Sequence, residues 1–215
     1  VCSSELDCSS WYFGETFDSP PTRLIHIDIN QEEIGRNFKT AIGAVCDAKM
    51  ALGAILAAAK RLYPQGVKRA ETVKEIAETK AAYFAGISEA QKSDQFPMRP
   101  ERILADLREV LPRDGYVVAD VGWNKNGVGQ QFPIYEPGTF VAPGGLATMG
   151  YGPSAALGVK VACPDKKVVA LIGDGGMGAN VSPFATAAVD DIAVVWVVMN
   201  NCAFGTIAGL ENQHY

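Results

Sequence analysis

The sequence predicts an α/β fold, with mostly parallel sheets and helices on both faces. Two observations carry this reading. Short apolar runs, Val168 to Ile172 and Ala193 to Met199, end abruptly in loop chemistry, Gly173-Asp174-Gly175 and Asn200-Asn201. The stretches between such runs have helical periodicity, and strands alternating with helices imply a parallel sheet closed by crossovers. The span from Asp174 to Asn201 suits one strand–helix–strand crossover.

Residues 1–22 read as irregular, with Trp11, Tyr12 and a Pro20-Pro21 break. Arg23 to Ile29 reads as a strand, and Gln31 to Gly35 as a helical turn. Residues 47–63 form a helix with Asp47 as N-cap. Leu52, Ile55, Leu56, Ala59 and Leu62 recur on one face, and Pro64 and Gly66 end it. Residues 67–99, rich in Lys, Glu and Ala, read as a solvated helix and linker. Pro100 opens a second α/β unit at a first helical turn, followed by Ile103, Leu104, Leu107, Val110 and Leu111 on one face. Tyr116 to Val121 is a strand, Gly122 to Phe132 a loop or short helix, and Gly144 to Gly150 a loop of small residues. Gly152 to Cys163 is a helix whose Ala155, Ala156 and Gly158 permit close packing. A helix of about ten residues separates the last two strands. The expected domains are 1–64, a helical linker at 65–99, and 100–215.

Bulk properties exclude several function classes. Formal net charge is -5 and no basic run occurs, so nucleic acid is not an expected partner. No apolar stretch reaches the roughly 18 residues of a membrane helix, so no membrane is expected either. The cysteines at 2, 8, 46, 163 and 202 form no CxxC pair and there are 2 histidines, a poor basis for zinc. Free thiols and the lack of a secretory signal at Val1 predict a cytoplasmic protein. No GxGxxG follows a first strand, and no GxSxG accompanies His26 or His214.

The chemistry concentrates at the strand ends. Asp174 and Asn201 offer hard oxygen donors from neighbouring strands, and the Ala203 carbonyl lies on the following turn. Mg²⁺ takes few protein ligands and completes its shell with phosphate oxygens and waters. Gly175 and Gly176 begin a helix whose free N–H groups attract anions. The expected ligand is a magnesium-borne diphosphate.

With these residues in view, Gly173-Asp174-Gly175 plus Asn200-Asn201 resembles the fingerprint of thiamine-diphosphate-dependent enzymes. The chain is most similar in kind to the acetolactate synthase (acetohydroxyacid synthase) group. His26 to Ile29 through Glu33 to Arg36 resembles the end of that family's Rossmann-like central domain. Ala119-Asp120-Val121-Gly122 resembles the start of its cofactor domain, and Gly144 to Gly158 its pyrimidine-side loop and helix.

The resemblance implies roles. Asp174 and Asn201 would ligate Mg²⁺, with the Ala203 carbonyl as third ligand. Gly173, Gly175 and Gly176 would meet the diphosphate of thiamine diphosphate, and Asn124 would donate to it. Met149 would wedge beneath the cofactor, and the Ala147 carbonyl would accept from its 4′-amino group. Phe204 and Gly205 would border cofactor and substrate. The activating glutamate is expected outside this chain, from a neighbouring subunit, so no catalytic residue is assigned here. Only the end of the site for FAD, which some members bind, would be present. The implied enzyme is a transferase or lyase that makes or cleaves C–C bonds beside the carbonyl of a 2-oxo acid. It would act as a homodimer or homotetramer with active sites at subunit interfaces. Hydrolysis or lysis of a 1,2-diketone, or a non-catalytic Mg²⁺–diphosphate module, are the alternatives. Two stretches depart from the group. Trp123-Asn124 stands where its members carry Gln-His, and Phe204 to Glu211 replaces a Gln-Trp-Gln-like run.

Overall fold

The computed structural model describes residues 23–36 and 38–214; the N-terminal segment that reads as irregular, with Cys2 and Cys8, lies outside them. The chain divides into two compact units between Lys74 and Glu75.

In the first unit, β1 (Ile25–Asp28) pairs in parallel with β2 (Ile42–Val45), Ile25 opposite Ile42. A single 3₁₀ turn, Gln31–Glu33, follows β1, where the Asn30 side chain accepts from the Glu32 N–H at 3.1 Å. The His26 Nδ1 accepts from the Gly35 N–H at 3.2 Å, so this histidine closes a turn. The strand β2 is not evident from sequence, because Gly43 and Ala44 dilute its apolar run. Helix α1 (Ala48–Leu62) starts at Asp47, whose carboxylate accepts from the Met50 N–H at 3.0 Å, as the N-cap reading predicts. Its apolar residues Leu52, Ile55, Leu56 and Leu62 are exposed.

Helix α2 (Ala70–Gln91) crosses the division between units. In the second unit, α3 (Pro100–Val110) begins with proline at its first turn, where no N–H is missed. The sheet comprises β3 (Tyr116–Ala119), β4 (Phe140–Val141), β5 (Val168–Gly173) and β6 (Val195–Met199), in the order β4-β3-β5-β6 and all parallel. Side chains alternate between faces with period two. Val117, Ala119, Val169 and Leu171 pack on one side with Leu104 and Leu111, and with Val128 of α4 (Trp123–Gln131). Val118, Val168, Ala170 and Ile172 pack on the other with Ala156 of α5 (Tyr151–Ala162). Burial on both faces is why β5 reads as an unbroken apolar run. Each fully buried Leu or Ile there contributes roughly 1.5–3 kcal/mol.

The stretch after β5 differs from the single helix of about ten residues that the sequence suggests. It is two short helices, α6 (Asp174–Ala179) and α7 (Pro183–Val189), broken at Asn180 to Ser182. The last described element is α8 (Gly205–His214). Among the described residues no helix is long and apolar enough to cross a membrane.

The Arg108 guanidinium joins the end of α3 to the chain after α4. It donates to the carbonyls of Leu111, Pro112 (2.8 Å) and Pro133 (3.3 Å). The same group lies 4.7 Å from the Phe132 ring centre and 5.0 Å from that of Tyr135.

Candidate functional site

Three adjacent parallel strands end together. Ala119 stands opposite Leu171 and Gly173 opposite Met199. The Asp120 N–H donates to the Leu171 carbonyl at 2.9 Å, extending the ladder by one rung. Asp120, Asp174 and Asn200-Asn201 therefore leave the sheet along one edge. The chain runs from β3 to one side and from β5 to the other, so the edge is the switch point at which open α/β sheets bind ligands.

Glycines let the segments at this edge approach one another. A Cβ at Gly175 would fall 2.7 Å from the Phe204 ring and 3.5 Å from the Met149 sulfur. Three residues singled out in the sequence, on three separate segments, thus surround one small space. A Cβ at Gly173 would lie 3.3 Å from Asn124 Nδ2. Asn124 itself is buried and donates to the Val121 carbonyl at 3.3 Å. Gly176 is buried against the Asp120 carboxylate, with no room for any side chain. Asp174 opens α6, and no side chain caps that helix, which leaves first-turn N–H groups without intrahelical partners.

The Asn-Asn pair makes two consecutive turns. Asn200 Oδ1 accepts from the Cys202 N–H at 3.0 Å, and Asn201 Oδ1 from the Ala203 N–H at 3.2 Å. An amide oxygen has a second lone pair, so Asn201 keeps acceptor capacity beyond its turn. Gly205 meets the Asn201 amide, where a Cβ would lie 2.8 Å from Nδ2. Asp174, the amides and the nearby carbonyls are all hard oxygen donors, the set that magnesium prefers. Among the described residues, no group of three or more His, Cys, Asp and Glu is arranged to hold a metal ion.

The loop from Gly144 to Gly150 is conformationally constrained. Ala147 has φ 52°, one of three non-glycine residues with positive φ among those described, with Asp191 and Cys202. Two of these three lie at this edge, where backbone strain commonly accompanies function. The Ala147 N–H donates to the Gly144 carbonyl at 3.2 Å. Met149 is 43% exposed, so it is a surface side chain rather than a core filler.

Trp123 does not belong to this space. Its indole covers Gly127, whose Cβ would fall 2.6 Å from the ring, and it packs on the Leu104 core. The departure from Gln-His is therefore a packing substitution at this position, while Asn124 faces Gly173. Two residues to which the sequence reading gives no role also meet the edge. Asp120, 1% exposed, accepts from the N–H groups of Val121 (2.7 Å) and Gly150 (3.1 Å). Asn180 donates to the Gly150 carbonyl at 3.0 Å. Asp120 carried a signal, an acid directly after an apolar strand. Asn180 carried none.

Residues 120–215 match the family described as thiamine pyrophosphate enzyme, C-terminal TPP binding domain. The chain is 36% identical over 204 residues to the probable acetolactate synthase large subunit of Methanocaldococcus jannaschii, covering 92% of this chain and 33% of that protein. It is 31% identical over 203 residues to the acetolactate synthase large subunit of Haemophilus influenzae, covering 91% and 34%. With that of Lactococcus lactis it shares 31% identity over 193 residues, covering 89% and 32%. The chain spans about a third of the length of these curated relatives.

Proposed function

We propose, on the premise that residues 120–215 are a thiamine-pyrophosphate-enzyme C-terminal domain within an acetolactate synthase-like chain, that this protein binds thiamine diphosphate with Mg²⁺ and makes C–C bonds from 2-oxo acids. The observation that carries the reading is the meeting of Gly175, Met149 and Phe204 beside Asp174 at the ends of β5 and β6.

In this reading Asp174, Asn201 and the Ala203 carbonyl hold magnesium. The N–H groups of Gly173, Gly175 and Gly176 and the Asn124 amide receive the diphosphate. Met149 would support the cofactor, since a flexible, polarizable thioether adapts to an irregular apolar surface. The Ala147 carbonyl would orient the aminopyrimidine, from a residue held at positive φ. Phe204 and Gly205 close the side nearest the substrate and exclude water. When bound, thiamine diphosphate supplies the nucleophilic carbon and the electron sink that carbonyl C–C chemistry needs. The acid that activates its pyrimidine comes from outside these residues, from a second subunit of a homodimer or homotetramer working in the cytoplasm. The favoured outcome is loss of CO₂ from one 2-oxo acid and addition of its remaining acyl carbon to the carbonyl carbon of a second, whose oxygen takes up a proton, because the relatives are named acetolactate synthases.

The test is calorimetric titration of the full-length protein with thiamine diphosphate, with and without Mg²⁺, followed by turnover assays. Magnesium-dependent binding and carboligation of pyruvate are expected. No binding in either condition sinks the cofactor reading. Binding followed by hydrolysis of a cyclic 1,2-diketone in place of carboligation would reassign the reaction, and binding without any turnover would leave a diphosphate-binding module.

A further inference from the structure

Gly150 ends the loop that carries Ala147 and Met149, begins α5, and is gripped from both sides. Its N–H donates to both oxygens of Asp120, at 3.2 and 3.1 Å. Its carbonyl accepts from Asn180 Nδ2 at 3.0 Å. The same Nδ2 donates to Ser154 Oγ at 2.9 Å, and Asn180 Oδ1 accepts from Ser182 Oγ at 3.1 Å.

These partners belong to the segments that must cooperate at the site. Asp120 ends β3. Asn180 directly follows α6, the helix that opens with Asp174-Gly175-Gly176. Gly176 lies against Asp120, and its carbonyl is 3.5 Å from where a Gly150 Cβ would stand. A six-residue helix has little rigidity of its own, so its end needs a fixed point. Asparagine suits the place because both hydrogens of one amide nitrogen are used and the oxygen accepts. Aspartate has the same shape but no hydrogen to give.

We infer that Asn180, acting with Asp120 through Gly150, is a positioning residue that sets the Ala147–Met149 loop at a fixed distance from the Asp174 helix. It touches neither reacting atoms nor metal; it joins the ring-holding half of the site to the diphosphate-holding half. This inference rests on the thiamine diphosphate reading above.

The experiment uses the full-length protein and the variants Asn180→Asp, Asn180→Ala and Ser182→Ala. Magnesium-dependent affinity for thiamine diphosphate should change little in all three, since the anchors at Asp174 and Gly175 are untouched. In both Asn180 variants kcat should fall roughly 10- to 100-fold, as misplacement of about an ångström does. KM for the 2-oxo acid should hold, and the near-ultraviolet circular dichroism of the bound cofactor should weaken. Ser182→Ala, which loses one bond to the oxygen only, should stay close to wild type. Wild-type dichroism and kcat in Asn180→Asp would overturn the inference alone. Wild-type protein that binds no cofactor would overturn the cofactor reading and this inference with it. A loss of affinity matching the loss of kcat would show that Asn180 belongs to the anchor and overturn the positioning role.

Discussion

Gly173 stands opposite Met199 at the last rung of the β5–β6 ladder, so Asp174 and Asn200 leave the sheet at the same height. That register converts two short motifs, distant in sequence, into one oxygen-lined edge.

Asp174→Ala removes the carboxylate at this edge. Magnesium-dependent binding of thiamine diphosphate by the full-length protein should weaken by more than the roughly 10- to 100-fold typical of losing an outer-sphere metal partner. Titration calorimetry reads this directly, and unchanged affinity would remove Asp174 from the ligand set.

Gly176→Ala would press a methyl group into the Asp120 carboxylate and to 3.3 Å from Ile172 Cγ2. Both neighbours are fully buried and have nowhere to move. Overpacking of this kind costs about 1–3 kcal/mol. Urea denaturation should show the loss, whereas Gly178→Ala, with open space around it, should be neutral or mildly stabilising.

Arg108→Lys should destabilise nearly as much as Arg108→Met. The guanidinium fork serves three carbonyls and lies against two aromatic rings, a geometry that an ammonium cannot reproduce. Losing charged hydrogen bonds of this sort costs roughly 1.5–3 kcal/mol. Full rescue by lysine in thermal melts would contradict the fork argument.

The pair Lys166–Asp114, at 2.5 Å, gives a pH signature. Its hydrogen bond to Lys166 holds the Asp114 carboxyl below the usual range, and the same bond raises the Lys166 ammonium. The aspartate contribution exists above the unfolded carboxylate pKa and is lost as pH falls through the lowered native value. The lysine contribution exists below the unfolded lysine pKa and is lost as pH rises through the raised one. Lys166→Gln should therefore lower stability slightly and evenly across neutral pH, with the difference fading in acid and in high salt. Both side chains are about half exposed, so the effect is small. Urea midpoints measured from neutral pH down to about pH 2 would check it; a difference that did not narrow as the pH fell below the ordinary carboxylate range would refute the pairing argument.

Strands β3 and β5 were legible because both faces are buried, which writes continuous apolar runs into the sequence; β6, at the end of the sheet order with Val195 and Val198 exposed, was legible through its valine-rich run alone. Helix α3 was legible through Pro100 and its apolar spacing. Strand β4 was not: Phe140 and Val141 are only two residues, and their pairing with Val117 and Val118 comes from the sheet. The break between α6 and α7 had a signal in Pro183, which opens α7; what stayed hidden is that the Asn180 side chain there reaches a carbonyl 30 residues back. Of the edge residues, Asp174 and Asn201 advertise themselves by following strands directly. Asp120 carries the same signal after β3, but its partner Gly150 becomes visible only in the fold.

The parallel ladder also sets an order of assembly in time. Pairing β3 with β5 closes a loop twice as long as pairing β5 with β6, as Val117, Val169 and Val195 show. Each doubling adds about 0.6 kcal/mol of closure entropy. The β5–β6 hemisphere, with Asp174 and Asn201, should therefore fold before β3 docks. Pulse-labelled amide exchange would then protect the amides that pair β6 with β5 ahead of the Asp120 N–H, which donates to the Leu171 carbonyl, and the edge would be completed only when Asp120 arrives.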